Sequence, residues 1–498
     1  MGHVDHGKTT LLDTISGKNI TSTEKGGITQ NTRAHQVTFE GQKITFIDTP
    51  GHEAFSSMRS RGAQVTDIVL LVVAADDGVQ PQTKESIKFA QEAKVPIIVA
   101  INKIDIPGKN ITKIKQELTN AKLNLEEYGG DVMTVEISAL KKTGIDELLQ
   151  RVLLLAEMSE LKVDKVTDIL GKVFVLEASL DNARGPVALC IVKAGEVHTG
   201  NYLLYKDGTG KIRSLLNTEQ KDIDIAVQGD PIWLIGMNKV LSTGEIVEIV
   251  EDEKKAKLLL RLKEDDSIIA ESLDLVQETV DDLDILSGLL DTSEQEKEIK
   301  YLNVILKTDV KGTLEAVRAQ IMDLNDKEVQ VKILKEETGK ITEDDILTAK
   351  NSRGIVIGFQ VTMDRHVSEI AHKEKVLVRQ YEIIYDLIQE LSEAMDSMMA
   401  PKYEEIEIAR ATVRKVFTLT NGQTVAGSFV VKGNIVKGTK VNVLRKDVKV
   451  GDGKIISLKI LKQEVKEAKK GVECGILIDP VIPVEEGDEI VCVKIERI

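Results

Sequence analysis

Between residues 43 and 158 the chain alternates two textures. "KITFID" (43–48), "DIVLLVVAA" (67–75), "VPIIVAIN" (95–102) and "VMTVEIS" (132–138) are apolar runs of strand length. "TKESIKFAQEA" (83–93) and "IDELLQRVLLLAEM" (145–158) space their apolar residues three and four apart, as one-sided helices do. Buried strands alternating with such helices predict a parallel sheet with helices on both faces. From about residue 170 the pattern shortens. "KVFVLEASL", "GPVALCIVKAGEV", "NYLLYKDGTGKIRSL" and "GEIVEIV" read as short strands joined at glycine turns, a small β-barrel. Residues 251–298 are acidic, apolar at helical spacing first and polar later, which predicts a connecting helix and a linker. Alternation resumes at 300–382 with strands "YLNVILKTD" and "GIVIGFQV" and helix "GTLEAVRAQIMDL". "YEIIYDLIQELSEAMDSMMA" (381–400) predicts a long amphipathic helix stopped by Pro401, and 405–498 returns to barrel texture.

The expected fold is therefore multidomain. An α/β phosphate-loop domain (1–158) is followed by a β-barrel (165–252), an acidic helix and linker (253–298), an α/β domain (299–382), a connecting helix (383–402) and a C-terminal β-barrel (403–498). The two barrel segments resemble each other. "KAGEVHTGNYLLY" (193–205) parallels "VKGNIVKGTKVNVL" (431–444), with glycine pairs Gly195/Gly200 and Gly433/Gly438, and "GKIRSL" (210–215) parallels "GKIISL" (453–458).

Composition narrows the class. The chain has 498 residues, 42% hydrophobic and 30% charged, a globular profile too long for one core. No apolar run approaches the roughly 18 residues of a membrane span, and the start has no signal-peptide pattern. Cys190, Cys474 and Cys492 are odd in number and far apart, so neither a disulfide framework nor a metal cluster is indicated, and a cytosolic or other reducing setting is expected. The net charge of −15 argues against a bulk nucleic-acid binder. Residues 401–498, however, carry +4 against −19 for the remainder, so any contact with nucleic acid is expected at the C-terminal end.

Four short motifs carry the chemistry. Gly2, His3, Val4, Asp5, His6, Gly7, Lys8 and Thr9 fit G-x-x-x-x-G-K-[ST], with Thr10 next in the helix that follows. Backbone N–H groups of such a loop bind phosphate oxygens, Lys8 adds positive charge at the β/γ-phosphates, and the Thr9 hydroxyl can ligate Mg²⁺. Asp48, Thr49, Pro50, Gly51 and His52 follow an apolar strand: Asp48 faces the metal's water shell, and Gly51 offers its N–H to a γ-phosphate. Asn102, Lys103, Ile104 and Asp105 end another strand. The Asp105 carboxylate can accept from N1–H and the 2-amino group of guanine, a donor pair that adenine lacks. Ser138, Ala139 and Leu140 follow the next strand, where backbone can meet the guanine oxygen. Their order, each at a strand end, places them where ligands sit in doubly wound sheets.

"GHVDHGKTTLLD", "GGITQ" (26–30), "DTPGHEAF", "VAADDGVQPQT" (73–83) and "NKID" together resemble the translational GTPases, and among them the bacterial-type translation initiation factor two family. The resemblance continues through "RGPVA" (184–188), "RQYEIIYDLI" (379–388), "APKYEE" (400–405) and "ECG" (473–475), essentially the whole chain. It implies that Thr29 is the mobile threonine that closes on Mg²⁺, that Val4 and Ile28 form an apolar gate, and that His52 orients the attacking water. The catalytic set expected is His52, Lys8 and Gly51. It also implies GTP and GDP with Mg²⁺ as ligands, slow intrinsic hydrolysis stimulated by the ribosome, and both ribosomal subunits and formylmethionyl initiator tRNA as partners. Other initiation factors are further possible partners, no membrane is involved, and the chain is expected to be monomeric. An elongation factor or specialised tRNA carrier, and a nucleotide-gated ribosome-binding scaffold with little hydrolysis, stay open as alternatives. The α/β segment between two barrels favours initiation, and intact Lys8, Asp48, Gly51 and His52 favour hydrolysis.

In that family the last barrel recognises the blocked aminoacyl end of the initiator tRNA. Lys459, Lys462, Glu473, Cys474 and Gly475 match its positions. Ile460 and Leu461 stand where an arginine and an aromatic are usual, and Ser428 where a cysteine is common, which removes a bidentate phosphate contact and a stacking surface. Only Met1 precedes the phosphate loop, although family members carry a short apolar strand there. Met1 is accordingly expected to be an internal methionine, with the preceding strand belonging between 43–48 and 67–75.

Overall fold

The computed structural model describes residues 1–18, 24–108, 110–159, 161, 168–262, 300–326, 328–398, 403–418, 424–446, 448–461, 463–479 and 483–497. The chain divides into two compact units, Met1–Met398 and Met399–Ile498.

The first unit opens with three parallel strands in the order Val69–Ala74, Ile97–Asn102, Met133–Glu136. All six residues of the central strand are buried, so neighbouring side chains serve opposite cores. Val99 and Ile101 join Ile87, Ile114 and Leu118 on one face, while Ile98 and Ala100 join Leu11, Leu148 and Val152 on the other. Those partners lie on the helices Lys8–Ser16, Pro81–Glu92, Ile111–Asn120 and Ile145–Met158, which gives the expected helix–sheet–helix layering. Three elements had no signal in the apolar pattern, one of them the largely polar helix Ser56–Val65. The helix Ile111–Asn120 buries only Ile114 and Leu118, and the strand Arg33–Phe39 is half polar.

That strand pairs antiparallel with Gln42–Asp48 around Glu40 and Gly41, both at positive φ, and the hairpin stands as its own two-stranded sheet. Met1 lies beside the strand Val69–Ala74. Its N–H donates to Leu70 O at 2.8 Å, and its carbonyl accepts from Val72 N at 2.9 Å. A cavity of about 420 Å³, lined by Met1, Ile44, Phe46, Val69, Leu70 and Val152 among others, separates hairpin and sheet.

Between Gly171 and Val250 nine antiparallel strands curl around one core of Val173, Val175, Cys190, Leu203, Ile232, Leu234 and Val247. Residues 253–262 are helical and 263–299 lie outside the described residues, which leaves the expected linker there without description. The next segment is a four-stranded all-parallel sheet in the order Val329–Thr338, Lys300–Thr308, Ile355–Phe359, Val378–Tyr381, with helices Lys311–Asp323, Glu343–Ser352 and Arg365–Glu374 between strands. The long helix runs Ile384–Met398 and buries Ile384, Leu387, Leu391 and Met395 at a regular stripe. It starts later than residue 381 because Val378–Tyr381 pairs into the sheet. Residues 399–402, where Pro401 was to stop it, lie outside the described residues.

Glu177, on the strand Gly171–Asp181, is 3% exposed and accepts the Gly312 N–H at 2.8 Å, at the start of the helix Lys311–Asp323. Its other carboxylate oxygen has no partner. Burial therefore pushes the acid up to about 8. The folded protein takes up a proton here that the unfolded chain does not bind above its ordinary carboxylate range. The stability linked to it is complete below that range and is lost as pH rises through the folded value. Glu177→Gln is expected to raise the thermal midpoint by about 2–4 °C at pH 8.5 and by little at pH 5, as read by calorimetry.

The second unit is a closed six-stranded ring. In order around it are Lys440–Arg445, Glu489–Arg497, Tyr403–Thr418, Thr424–Lys432, Glu473–Asp479 and Val448–Ile460, which returns to the first. Its glycines repeat those of the earlier barrel in geometry as well as in sequence. Gly195 and Gly433 have φ of 72° and 68°, Gly200 and Gly438 94° and 93°. A Cβ on Gly195 would meet Leu170 O at 2.0 Å and one on Gly433 would meet Ile408 O at 2.1 Å, so glycine is required twice for the same close strand crossing.

Candidate functional site

Val4, Asp5, Gly7, Lys8, Thr9, Thr10, Gly27, Ile28, Thr29, Gly51, His52, Lys103 and Tyr385 line one cavity of about 310 Å³. The phosphate loop enters it from Gly2, whose φ of 143° lets its backbone lie against Val72 O, and turns through Asp5 and Gly7 at positive φ into the helix Lys8–Ser16. The loop is braced from behind. His6 is 1% exposed, with Nε2 3.0 Å from Asp77 and Nδ1 3.2 Å from Val72 O, and His3 contacts both Gln82 and the His6 ring. Both histidines are thus scaffolding of the loop rather than groups aimed into the cavity.

Lys8 Nζ reaches back to His3 O at 2.6 Å. Gly51 comes so near that a Cβ there would lie 2.5 Å from Lys8 Nζ and 2.9 Å from Val4 N. Only glycine brings an N–H this close to the loop. Thr9, Thr29 and Asp48 converge: Thr9 Oγ1 is 2.7 Å from Thr29 Oγ1 and 3.4 Å from Asp48 Oδ2. Burial pulls the Lys8 ammonium down to about 8 and pushes the Asp48 carboxyl up. An anion beside Lys8 and a cation beside Asp48 would restore both charged forms. Two hydroxyls and a carboxylate are the hard oxygen donors that Mg²⁺ takes, so the residues present fit that ion.

His52 is 6% exposed, and its Nδ1 accepts the Ala54 N–H at 3.1 Å, which places the ring proton on Nε2. Burial lowers its pKa, which keeps the imidazole neutral. Val4 and Ile28 flank the same cavity.

At the base end the four "NKID" residues do different work. Asn102 is 2% exposed and acts as a strut: Nδ2 donates to His6 O at 2.9 Å and Oδ1 accepts the Ala139 N–H at 3.0 Å. Lys103, at a φ of 62°, lines the phosphate cavity, and Ile104 N donates to Ile137 O at 3.2 Å. Asp105 Oδ1 accepts from Ser138 Oγ at 2.7 Å, and Ser138 Oγ accepts from Lys141 N at 3.1 Å. Ala139 is buried while Leu140 is 72% exposed. Thr49 and Pro50 complete the turn into Gly51, both buried.

Sequence reasoning missed three features. Arg59 is fully buried; it donates to Pro50 O and His52 O and pairs with Glu85, fixing the turn that carries Gly51 and His52. Gln30 and Asn31 tie the Thr29 segment to the later α/β region: Gln30 Nε2 donates to Glu382 O at 2.9 Å and Asn31 Nδ2 to Asp309 Oδ2 at 2.8 Å. Tyr385 lies against His52. These contacts span up to about 350 residues of chain, and no local pattern announces them.

In the second unit the "ECG" positions alternate. Glu473 is outward, Cys474 is 4% exposed in the barrel core with its thiol pushed up to about 11, and Gly475 pairs with Gly427 and Lys459. Ser428 is likewise core, so the serine-for-cysteine departure changes packing rather than surface. Lys459 is exposed, Ile460 packs on the core, Leu461 is 93% exposed, and Lys462 lies outside the described residues. Beside Glu473, the Arg414 guanidinium stacks 4.3 Å over the Phe429 ring and pairs with Glu473 at 2.7 Å.

Among the described residues no helix is long and apolar enough to cross a membrane. Three family models match: "Elongation factor Tu GTP binding domain" over residues 1–158, "Elongation factor G domain 2" over 171–249, and "Translation-initiation factor 2" over 284–392. The chain is 44% identical, over all its 498 residues and 59% of the relative's length, to translation initiation factor IF-2 of Carboxydothermus hydrogenoformans. It is 43% identical, over 498 residues and 71% of the relative's length, to translation initiation factor IF-2 of Thermoanaerobacter sp. (strain X514). The chain thus spans about three fifths of the first relative and seven tenths of the second. A GDP-bound aIF5B crystal structure from Aeropyrum pernix matches 99% of this chain and 90% of its own, at 24% identity and a TM-score of 0.46. With full-length identity above two fifths and its own motifs in place, the chain belongs to the translation initiation factor IF-2 family.

Proposed function

We propose that this chain is a ribosome-stimulated GTPase of translation initiation. It hydrolyses GTP to GDP and phosphate, promotes binding of formylmethionyl initiator tRNA to the small ribosomal subunit, and supports joining of the subunits in the cytoplasm. The observation that carries the reading is the convergence of Lys8, Thr9, Thr29, Gly51 and His52 on one cavity, with Asp48 bonded to Thr9 beside it and Asp105 bonded to Ser138 at the next strand ends.

The residues divide the work. Loop N–H groups and Lys8 hold the phosphates, and Gly51 N–H meets the γ-phosphate. Thr9 and Thr29 would hold Mg²⁺ directly and Asp48 through water; when bound, the ion neutralises charge developing on the β- and γ-oxygens. Neutral His52, its proton on Nε2, is suited to orient a water rather than to act as a strong base. Val4 and Ile28 keep the approach dry. Asp105 selects guanine. The segments 1–158 and 165–252 serve as nucleotide domain and barrel, 253–298 and 383–402 as connectors, 299–382 as an α/β domain, and 403–498 as the initiator-tRNA domain.

In that last domain Lys459, Glu473 and Gly475 belong to the initiator-tRNA surface, Cys474 shapes it from the core, and Lys462, outside the described residues, is assigned to it by its motif alone. Arg414 and Phe429 supply the planar cation and the aromatic face that Ile460 and Leu461 do not. The test is filter binding of the full chain to formylated and unformylated initiator tRNA. Wild type is expected to favour the formylated form, and Arg414→Ala with Phe429→Ala to weaken binding about 10-fold or more. Equal binding of both tRNAs would remove initiator recognition and favour an elongation-type reading.

A further inference from the structure

His52 is covered from two directions. Phe55, three residues on, meets its ring edge-to-face at 6.0 Å between centroids. Tyr385, at the start of the helix Ile384–Met398, meets it at 4.3 Å and 88°, the tighter of the two contacts. With Nδ1 held by Ala54, the imidazole is fixed by two aromatic contacts and at one nitrogen. The charged groups facing it are Glu53 on its own turn and Arg59 on the helix Ser56–Val65, while Glu53 and Asp5 face the Tyr385 phenol.

The same short stretch also grips the segment that carries Thr29. Ile384 N donates to Gln30 Oε1 at 3.3 Å, Glu382 O accepts from Gln30 Nε2, and Gly26 lies so near Ile383 that a Cβ would meet its Cδ1 at 2.8 Å. Residues 382–385 therefore touch both elements that must respond to a γ-phosphate. Tyr385 is nevertheless 54% exposed, so its ring lines the nucleotide cavity without being needed to fill a core.

We propose that Tyr385 is a positioning residue that parks His52 in its resting orientation, so that the helix Ile384–Met398 sets the ribosome-free rate of hydrolysis. The proposal rests on the GTPase reading above. To swing toward a bound γ-phosphate, the His52 ring must leave Tyr385. An edge-to-face aromatic pair of this kind shifts such an equilibrium by roughly two- to tenfold. Displacing the helix releases His52 and Gln30 together, which makes the α/β segment a single handle on both switch elements.

The experiment compares wild type, Y385F and Y385A as full chains. The first readout needs no hydrolysis: the ring protons of His52 in ¹³C-histidine-labelled protein, assigned with H52A. The Tyr385 contribution to the ring-current shift is expected to persist in Y385F and to be lost in Y385A, leaving only that of Phe55. The second readout is ribosome-free turnover. Y385A is expected to raise kcat about two- to tenfold with little change in KM. Y385F should restore the wild-type rate, and the gain should disappear in H52A/Y385A. An unchanged His52 resonance in Y385A overturns the proposal whether or not the chain hydrolyses GTP. A shifted resonance with unchanged or lowered kcat overturns it as well. Failure of the GTPase reading is seen separately, in wild type with ribosomes.

Discussion

Replacing His52 by alanine is expected to leave GTP bound and to cut ribosome-stimulated hydrolysis by roughly two to four orders of magnitude, the range for loss of a group acting on the reacting water. Binding should be spared because the groups proposed to hold the phosphates, the loop N–H groups, Lys8 and the Gly51 turn, do not use the imidazole. The turn itself is fixed by Arg59 through Pro50 O and His52 O, which are backbone atoms that alanine keeps. Fluorescent-nucleotide binding and single-turnover phosphate release measure the two effects independently. Normal release from His52→Ala would refute the role of His52.

The second large effect is a change of base. In Asp105→Asn the carboxylate proposed to accept from N1–H and the 2-amino group becomes an amide, which donates where guanine also donates. GTP affinity should fall by roughly 100-fold, and xanthosine triphosphate, whose C2 carries an oxygen, should be preferred. The Ser138 hydroxyl can still donate to the amide oxygen, so the loop is retained. Competition between the two nucleotides reads this directly, and unchanged selectivity for GTP would refute the assignment of Asp105.

The parallel strands and their flanking helices were legible because Leu71, Val73, Val99 and Ile101 are apolar on a face that must be buried, and their neighbours Val72, Ile98 and Ala100 on the other. The glycine at 51 was legible because its requirement is local: a Cβ there would strike Lys8. The twinned glycines of the two barrels were legible for the same reason, since a required positive φ leaves its mark at one position. What was not legible is what joins distant segments. Asn102 reads only as one residue of its motif, and nothing local shows that its side chain bonds His6 O on one side and Ala139 N on the other. "ECG" reads as one surface patch, yet period-two geometry turns Cys474 inward between Glu473 and Gly475. Tyr385 reads as one more residue on an amphipathic helix, because its partner lies more than 300 positions earlier.

The Asn102 strut has a further consequence. One end of a single short amide holds the loop proposed to receive phosphate, and the other holds the loop proposed to receive the base, with Asp105 attached to the latter through Ser138. Neither loop can shift without dragging the other. A nucleotide bound as proposed would thus meet two loops whose spacing is set by one side chain, so that seating at one end is linked to seating at the other.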